Sequence, residues 1–385
     1  MNATPASVQT SQEAERAEVL YRVVNRVAIV TLNRPAALNA LSHAMVRDLA
    51  AVLERVRADD DILAVVLNGA GPKGFCAGGD VRALYQQATR GEMLGVTGWR
   101  QFFVDEYRLD YALHTFSKPV VALLDGVTMG GGMGLGQAAT LRVATSRTKI
   151  AMPETRIGLL PDVGATHFLA SMPTEIELYV GLTGVTLSGA DALYCGLADI
   201  CVPGDWLDGF EARLAQAPMH EGDVTGALRR VFDAPCHVAQ TGTLEAHASL
   251  IAQYFERRRT VEQVVQALQT DFADEAAPEQ TQAWRKATLD ALAHYSPTML
   301  EVTREALLRG RQLTLAESFR MELGIVTRTI EEGDFREGVR AHLVDKDRKP
   351  RWAPATLPEV RAERVLHFLA SPWRSGDHPL ADLGA

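Results

Sequence analysis

Short apolar runs separated by turn residues dominate the first half of the chain. Residues 20–24 and Val27–Leu32 are rich in β-branched side chains, and Asn25 and Arg26 between them predict a β-hairpin. Four further runs predict short strands: residues 62–67, residues 119–124, Leu141–Thr145 and residues 149–152. The first two of these runs are fully apolar.

Predicted helices fit between these strands. Ser42 can cap a helix whose apolar residues recur at helical spacing: Met45, Leu49, Leu53 and Val56. Residues 81–88 predict a helix directly after a glycine-rich turn, and a run of glycines at residues 130–132 begins another. The repeated order of strand, glycine turn and helix implies an α/β fold of stacked β-β-α turns around one core.

The second half of the chain has a different pattern. Beyond residue 205, apolar residues at helical spacing replace the strand-like runs, in residues 244–255, 261–268, 281–292 and 297–308. We therefore predict four segments: a disordered polar tail (1–17), the α/β core (18–205), a mainly helical region (206–350) and a C-terminal tail (351–385). The helical region would either close the pocket of the core or form a subunit interface.

Composition argues against several classes of function. The 385 residues carry a formal net charge of −9, which disfavours a basic face for nucleic acid. No C-x-x-C pair and no metal-ligand spacing occurs, so we expect neither a disulfide framework nor a metal site. No apolar run is long enough to span a membrane, and residues 1–17 resemble neither a secretory signal nor a transit peptide. These features predict a cytoplasmic protein. The cysteines are Cys76, Cys195, Cys201 and Cys236.

Two glycine turns that follow buried strands can present backbone N–H groups. Gly79 lies in the turn at residues 75–80, and Gly131 lies within the run at residues 130–132. Taken singly, each turn is explained by chain reversal or close helix packing. If both turns face one pocket, they can form an oxyanion hole, where the loss of one donor costs ~3 kcal/mol of transition-state stabilisation. The glycine order does not match a dinucleotide fingerprint.

One loop contains a pair of carboxylates, Glu154 and Asp162. An isolated carboxylate is more often a helix cap or a surface group. Here the neighbours Ile157, Leu159 and Leu160 should remove solvent, which raises the carboxyl pKa values and favours proton transfer near neutral pH. Two carboxylates beside backbone donors suit chemistry at a carbonyl group.

Several motifs resemble the crotonase, or enoyl-CoA hydratase/isomerase, superfamily. Residues 33–35 (Asn-Arg-Pro) and 38–41 (Leu-Asn-Ala-Leu) are similar to its first motif, residues 75–80 (Phe-Cys-Ala-Gly-Gly-Asp) to its first oxyanion turn, and residues 130–132 to its second. The resemblance runs from about residue 20 to about residue 360. It implies a crotonase-like spiral and an acyl-CoA substrate whose thioester oxygen accepts hydrogen bonds from the N–H groups of Gly79 and Gly131.

The resemblance is greater to one branch of this superfamily, the 3-hydroxyisobutyryl-CoA hydrolases. Enoyl-CoA hydratases work with two glutamates, of which one matches Glu154 and the other falls at Gly134. They also have a glycine where this chain has Asp162. The branch is further indicated by residues 102–107, which would place Glu106 near the acyl pocket, and by residues 331–341, 345–347 and 349–352.

This branch implies hydrolysis of 3-hydroxyisobutyryl-CoA to 3-hydroxyisobutyrate and free coenzyme A in valine breakdown, with no cofactor. Glu154 would attack the carbonyl or activate water. Asp162 would orient the water, bind the substrate 3-hydroxyl or protonate the leaving thiolate. Gly131 and Glu106 would complete the substrate contacts.

Two alternatives stay open: an enoyl-CoA hydratase or isomerase that uses Glu154 alone, and a coenzyme-A-binding interaction protein without catalysis. Arg34, Lys73 and Lys118 lie near segments that could hold the coenzyme A phosphates, but no spacing selects among them. The superfamily resemblance also implies a homo-oligomer, a trimer or a pair of trimers.

Overall fold

A computed structural model describes residues 17–93, 98–220, 222–234, 242–273, 277–374 and 376–384. The predicted tail at residues 1–17 lies outside these ranges except for Ala17, and Cys236 lies outside them as well. The division of the chain into four segments stays a prediction.

Two sheets form the centre of the described structure. The larger sheet has the strand order β1-β2-β3-β5-β7-β10, and the smaller one has the order β4-β6-β8-β9. Neighbouring strands run parallel, except that β1 with β2 and β8 with β9 are antiparallel. The strands are β1 (Val19–Val24), β2 (Val27–Leu32), β3 (Ala64–Gly69), β4 (Gly74–Cys76), β5 (Val120–Leu124), β6 (Val127–Met129), β7 (Leu141–Thr145), β8 (Lys149–Ala151), β9 (Leu187–Ser188) and β10 (Ile200–Val202).

The chain places successive strands in alternate sheets. In each of the pairs β3 and β4, β5 and β6, and β7 and β8, the first strand joins the larger sheet and the second joins the smaller one. Helices follow the first two of these pairs, so each turn of the chain adds one strand to each sheet. This arrangement confirms the predicted α/β spiral of stacked turns.

The N-terminal hairpin forms as predicted. Asn25 and Arg26 have φ angles of 48° and 64°, the left-handed conformation that both central residues of a type I′ turn require. Val24 pairs with Val27 directly across this turn. The twist of such a turn matches the twist of the strands, so the hairpin enters the sheet without a bulge.

Helices cover the spiral in the first half of the chain. Ser42 caps α1 by accepting a hydrogen bond from the N–H of Met45, and the apolar residues of its predicted stripe are buried. The helices are α1 (His43–Ala58), α2 (Val81–Arg90), α3 (Trp99–His114), α4 (Gly131–Gln137), α5 (Ala165–Phe168), α6 (Thr174–Thr183) and α7 (Gly189–Tyr194). Short 3-10 turns are Pro35–Ala37, Glu154–Ile157, Leu169–Ser171 and Gly204–Leu207.

The second half of the described chain is mainly helical. Its helices are α8 (Phe210–Gln216), α9 (Val224–Phe232), α10 (Thr243–Ala246), α11 (Ala248–Tyr254), α12 (Val261–Phe272), α13 (Glu279–His294), α14 (Pro297–Gly310), α15 (Leu315–Glu332), α16 (Phe335–Val339) and α17 (Ala362–Leu369). A π-helix, Arg340–Val344, continues α16, and Leu357–Glu359 is a 3-10 turn. The continuous helix predicted at residues 244–255 is divided at His247, which ends α10 and precedes α11.

Strands of the larger sheet are buried on both faces. Ala28 and Val30 point into the main core, whereas Val27 and Ile29 contact a second apolar cluster on the opposite face. Helices α8 and α9 cover that second face with Phe210, Leu214, Leu228 and Phe232. The first part of the helical region is therefore packed on the α/β core.

Helix α14 packs on α5 and α6, and α15 packs on α3 and α5. The buried carboxylate of Glu177 in α6 accepts a 2.6 Å hydrogen bond from Arg311, just after α14. Burial raises the pKa of Glu177 to about 7, against the effect of the Arg311 guanidinium. The predicted C-terminal tail is also partly packed, because Phe368 and Leu380 are buried in the core.

Helix α16 lies directly on the 3-10 turn that contains Glu154. Gly158, which ends this turn, has φ of 71°, and a methyl group built on it would lie 2.6 Å from the carbonyl carbon of Asp334. The Asp334 carboxylate accepts a 2.6 Å hydrogen bond from Ser296 and a 3.2 Å bond from the N–H of Ala353. The helical region thus contacts the carboxylate loop through backbone that leaves no space for a side chain.

We expect Gly158→Ala to destabilise the protein more than Gly91→Ala. Both glycines end a helical turn with similar φ angles, 71° and 74°, but a methyl group on Gly91 would meet no atom of the described residues within 4 Å. The left-handed conformation should cost about 1–2 kcal/mol in each variant. Overlap with Asp334 should add about 1–3 kcal/mol for Gly158→Ala alone. Urea unfolding of both variants measures the difference, and equal losses would contradict the described contact.

Candidate active site

The two predicted glycine turns meet. They follow β4 and β6, which are parallel neighbours, so both turns lie at the same edge of the smaller sheet. A methyl group on Gly78 would lie 3.0 Å from the Met129 carbonyl oxygen and 3.3 Å from the Gly131 nitrogen. One on Gly132 would overlap the carbonyl oxygen of Cys76. Glycine is therefore required here by the close approach of the two backbones.

Gly79 and Gly131 both line a cavity of about 340 Å³. Gly131 is the first residue of α4, where an N–H group has no acceptor within the helix. Within the described ranges, the N–H groups of Gly79 and Gly131 donate no hydrogen bond to another backbone or side-chain group. Both are therefore available to an oxygen atom bound in the cavity.

Glu154 lines the same cavity from the third strand of this edge, because its 3-10 turn follows β8. The side chain is buried, and its Oε1 would lie 3.0 Å from a methyl group on Gly130. Its Oε2 has no hydrogen-bond partner in the described part of the chain. Burial raises the pKa of Glu154 well above its usual value, and the negative charges of Asp162 and Glu106 raise it further.

Asp162 also lines the cavity and is buried. The hydroxyl of Tyr107 donates a 2.6 Å hydrogen bond to its Oδ2. Burial raises the pKa of Asp162 to about 6, and the Tyr107 hydrogen bond limits this rise because it stabilises the ionised form. The predicted rise in the pKa values of Glu154 and Asp162 is confirmed.

Asp162 is followed by strained backbone. Val163 has φ of 54°, which is rare for a β-branched residue, and Gly164 has φ of 86°. A non-glycine residue held in this region costs about 1–3 kcal/mol. The surrounding structure must supply this energy if Asp162 is to stay in the cavity.

Glu106 reaches the cavity from α3, as predicted for the acyl pocket. Its carboxylate lies so close to Gly131 that a methyl group there would overlap Oε1. Burial and the charge of Asp162 raise the pKa of Glu106 well above its usual value. The structure therefore brings the predicted site residues Gly79, Glu106, Gly131, Glu154 and Asp162 to one cavity, while their chemical roles stay predictions.

Three residues beside this cavity were not identified from the sequence: Tyr107, Asp110 and Glu322. Asp110 lies one helical turn after Glu106 and is fully buried, and neither of its carboxylate oxygens has a partner among the described residues. Asp110 follows Glu106 by four residues, which places both on one face of the helix. This spacing was the only signal in the sequence that could have identified Asp110. Glu322 accepts hydrogen bonds from residues 156 and 158 positions away, for which no local signal exists.

Two of the three candidate cations for coenzyme A phosphates have partners within the protein. Lys118 donates hydrogen bonds to the carbonyl oxygens of Val56 and Asp59 at the end of α1, and Arg34 donates to Ala40 and Asp80. Lys73 is exposed. Arg156, which the sequence did not single out, is exposed and lines the cavity.

The cysteines of the described chain do not have the features of a nucleophile. Cys76, Cys195 and Cys201 are free thiols and are buried. Burial raises the pKa of Cys76 to about 12, which opposes formation of a thiolate. Cys76 therefore acts as a small apolar residue of the core.

Comparisons with known proteins now give the family. The family model described as Enoyl-CoA hydratase/isomerase matches residues 27–369. The chain belongs to the enoyl-CoA hydratase/isomerase family. The mitochondrial 3-hydroxyisobutyryl-CoA hydrolase of Rattus norvegicus is 38% identical over 368 residues, covering 94% of this chain and 91% of the relative. The 3-hydroxyisobutyryl-CoA hydrolase 1 of Arabidopsis thaliana is 38% identical over 371 residues, with 94% of each chain covered.

A solved structure of this family supports the fold. The chain resembles a carnitinyl-CoA dehydratase from Mycobacterium thermoresistibile with a TM-score of 0.80 and 37% sequence identity, over 92% of this chain and 97% of that one. The similarity to this structure therefore extends into the helical second half of the chain. The implied trimer or pair of trimers stays a prediction.

The predicted cytoplasmic location is wrong. The rat relative is named as a mitochondrial enzyme, as are those of chicken, zebrafish and mouse. The prediction rested on the lack of a disulfide framework, of a membrane-spanning apolar run and of a recognisable targeting signal in residues 1–17, and none of these properties identifies a compartment. No helix of the described ranges is long and apolar enough to cross a membrane.

We expect Tyr107→Phe to raise the pKa of Asp162 above about 6, because the ionised carboxylate loses its hydroxyl donor. A hydrogen bond to a charged group is worth about 1.5–3 kcal/mol, so the midpoint should rise by about one to two pH units. Carbon-13 NMR of labelled aspartate measures it, with Asp162→Asn to assign the signal. Tyr111→Phe on the same helix is the control, since Tyr111 and Tyr107 both pack on Phe319. An unchanged midpoint in Tyr107→Phe would contradict the proposed cause.

Proposed function

We propose that this protein hydrolyses the thioester of 3-hydroxyisobutyryl-CoA to 3-hydroxyisobutyrate and free coenzyme A, in valine breakdown. The proposal rests on the arrangement of acidic groups in the cavity. Glu154 and Asp162 both line it, and there is no space for an acidic side chain at position 134. The relatives from rat and Arabidopsis, which have this activity in their names, support the same substrate.

The space around Gly134 argues against hydration of a double bond. Hydratases place an acid and a base at the two carbons, and the resemblance assigns their second glutamate to this position. A methyl group on Gly134 would lie 2.6 Å from Oδ2 of Asp110 and 2.8 Å from Cβ of Val163. A glutamate side chain therefore has no room to enter the cavity from Gly134.

In the proposed mechanism, the N–H groups of Gly79 and Gly131 bind the thioester oxygen. Negative charge develops on this oxygen when the carbonyl carbon is attacked, and preorganised donors are most favourable at that moment. Because Glu154 adjoins Gly130, a thioester whose oxygen is bound at Gly131 would have its carbonyl carbon within reach of the Glu154 carboxylate. This proximity favours direct attack by Glu154.

Once Glu154 has given up its proton to solvent, attack by one of its carboxylate oxygens forms a C–O bond. The C–S bond then breaks and releases the coenzyme A thiolate, which takes up a proton from solvent. Water then hydrolyses the resulting mixed anhydride and regenerates Glu154. Burial makes Glu154 a stronger base than a solvated glutamate. Asp162, whose pKa is raised only to about 6, is mostly ionised at neutral pH. It is therefore suited to accept a hydrogen bond from the water or from the substrate 3-hydroxyl.

Glu154→Gln and Asp162→Asn should each lower the rate of thiol release from 3-hydroxyisobutyryl-CoA by about two to four orders of magnitude. Glutamine cannot attack, and asparagine lacks the charge that orients the hydroxyl group. Free thiol is followed with a chromogenic disulfide reagent. Glu245→Gln, at an exposed surface position, is the control and should keep the full rate.

Two results would overturn the proposal. Hydration of a short enoyl-CoA without thiol release would establish the hydratase alternative. Saturable binding of coenzyme A with no turnover of any short acyl thioester would establish a binding protein without catalysis.

Single turnover in ¹⁸O-labelled water tests direct attack. Attack of water at the Glu154 carbonyl of the proposed anhydride leaves ¹⁸O in the Glu154 side chain, so we expect label there, detected by mass spectrometry of the peptide. The Asp162 side chain serves as the internal control and should stay unlabelled. Complete thiol release with no label in Glu154 would count against the anhydride route with attack of water at the Glu154 carbonyl.

A further inference from the structure

The strained turn after Asp162 is held by a residue from the helical region. Glu322 lies in α15 and its side chain is fully buried. Its Oε2 accepts a 2.7 Å hydrogen bond from the N–H of Gly164. Its Oε1 accepts a 2.9 Å bond from the N–H of Thr166 and a 2.7 Å bond from the Thr166 hydroxyl. One carboxylate thus binds the chain at two points just beyond Asp162.

These bonds replace a cap that the local sequence does not supply. Helix α5 begins at Ala165, and no side chain of the preceding residue, Gly164, can accept from its first N–H groups. Between Asp162 and Gly164, Val163 is in a left-handed conformation that a β-branched residue rarely adopts. Such a conformation persists only where its surroundings hold it. The Glu322 carboxylate holds the far end of this turn, together with the 2.9 Å bond from the N–H of Ala165 to the carbonyl oxygen of Asp162.

The same helix contacts the other support of Asp162. Phe319, one turn before Glu322, packs on the ring of Tyr107 with 5.4 Å between ring centres. A methyl group on Gly164 would lie 3.2 Å from the Phe319 ring. Helix α15 therefore touches both the backbone that follows Asp162 and the residue that donates a hydrogen bond to it.

We propose that Glu322 is a positioning residue for Asp162, and that the helical region sets the geometry of the active-site carboxylate through it. This inference rests on the role of Asp162 in the proposed function. Glu322 does not occur among the described residues that line the cavity, so its effect on the reaction must pass through the turn at residues 162–166.

Glu322→Gln tests the inference, because the amide keeps the size of the side chain but can accept at only one of the two points. We expect kcat for thiol release to fall by about 10- to 100-fold. The matched control is Glu177→Gln, since Glu177 is also fully buried and also joins the core to the helical region, through Arg311. It should lower the unfolding temperature while kcat stays within about twofold of the unaltered protein.

A double variant separates positioning from general destabilisation. If Glu322 acts through Asp162, Glu322→Gln combined with Asp162→Asn should be no slower than Asp162→Asn alone. A further tenfold loss in the double variant would overturn the inference. An unchanged kcat in Glu322→Gln, or an equal loss in Glu177→Gln, would overturn it as well.

A structural measurement keeps the inference separate from the proposed reaction. In a crystal structure of Glu322→Gln, the 2.6 Å contact between Tyr107 and Asp162 should be lost or lengthened, whereas Glu177→Gln should retain it. If the unaltered protein releases no thiol, the proposed function fails, and this measurement alone decides the inference. An unmoved Asp162 in Glu322→Gln overturns it.

If Glu322→Gln does not fold, Thr166→Val tests the inference in its place. It removes one of the three hydrogen bonds to Glu322 and keeps the backbone bonds and the side-chain shape. We expect kcat to fall by about three- to tenfold, again with no further loss in the Asp162→Asn background. A kcat equal to that of the unaltered protein would count against the inference.

Discussion

The close approach of two backbone turns is the contact on which the site depends. The turn at Gly78 and the turn at Gly130 belong to parallel neighbouring strands, and their atoms lie too close for side chains to stand between them. Because of this close approach, the N–H groups of Gly79 and Gly131 lie at one cavity. Gly131 is the first residue of α4. The carboxylates of Glu106 and Glu154 then pack directly against the glycine backbone. A side chain at these positions would separate the donors from the acids.

The cost of this arrangement is electrostatic. Glu106, Asp110, Glu154, Asp162 and Glu322 are all buried, and burial raises the pKa of each. Repulsion from neighbouring carboxylates raises the pKa further for all of them except Asp162. Only Asp162 and Glu322 receive hydrogen bonds from neighbouring side chains that favour the ionised form. The buried cluster therefore favours the neutral form of these carboxyl groups more than water does.

Local patterns were sufficient to predict much of the fold and the residues that the structure brings to one cavity. Glu154, Asp162 and the glycine turns stand in short motifs, and the hairpin at Asn25 is encoded within a few positions. Tyr107 and Glu322 were not found, because each acts on residues that become neighbours only in the folded chain. The break between α10 and α11 was also missed, since periodicity alone does not mark where His247 ends a helix. The start of helix α15 did have a local signal, because Thr314 and Glu317 form a reciprocal cap there. The prediction from helical periodicity did not use this signal.

The bond between Gly164 and Glu322 joins residues 158 positions apart. A contact of such long sequence separation forms only after a large loop of chain has been ordered, and larger proteins acquire their structure in stages. During synthesis, the glycine turns and Glu154 leave the ribosome well before Glu322 does. The spiral can thus assemble while the turn after Asp162 still lacks its support. The final alignment of Asp162 would then follow the emergence of Glu322, when the glycine turns and Glu154 are already in place.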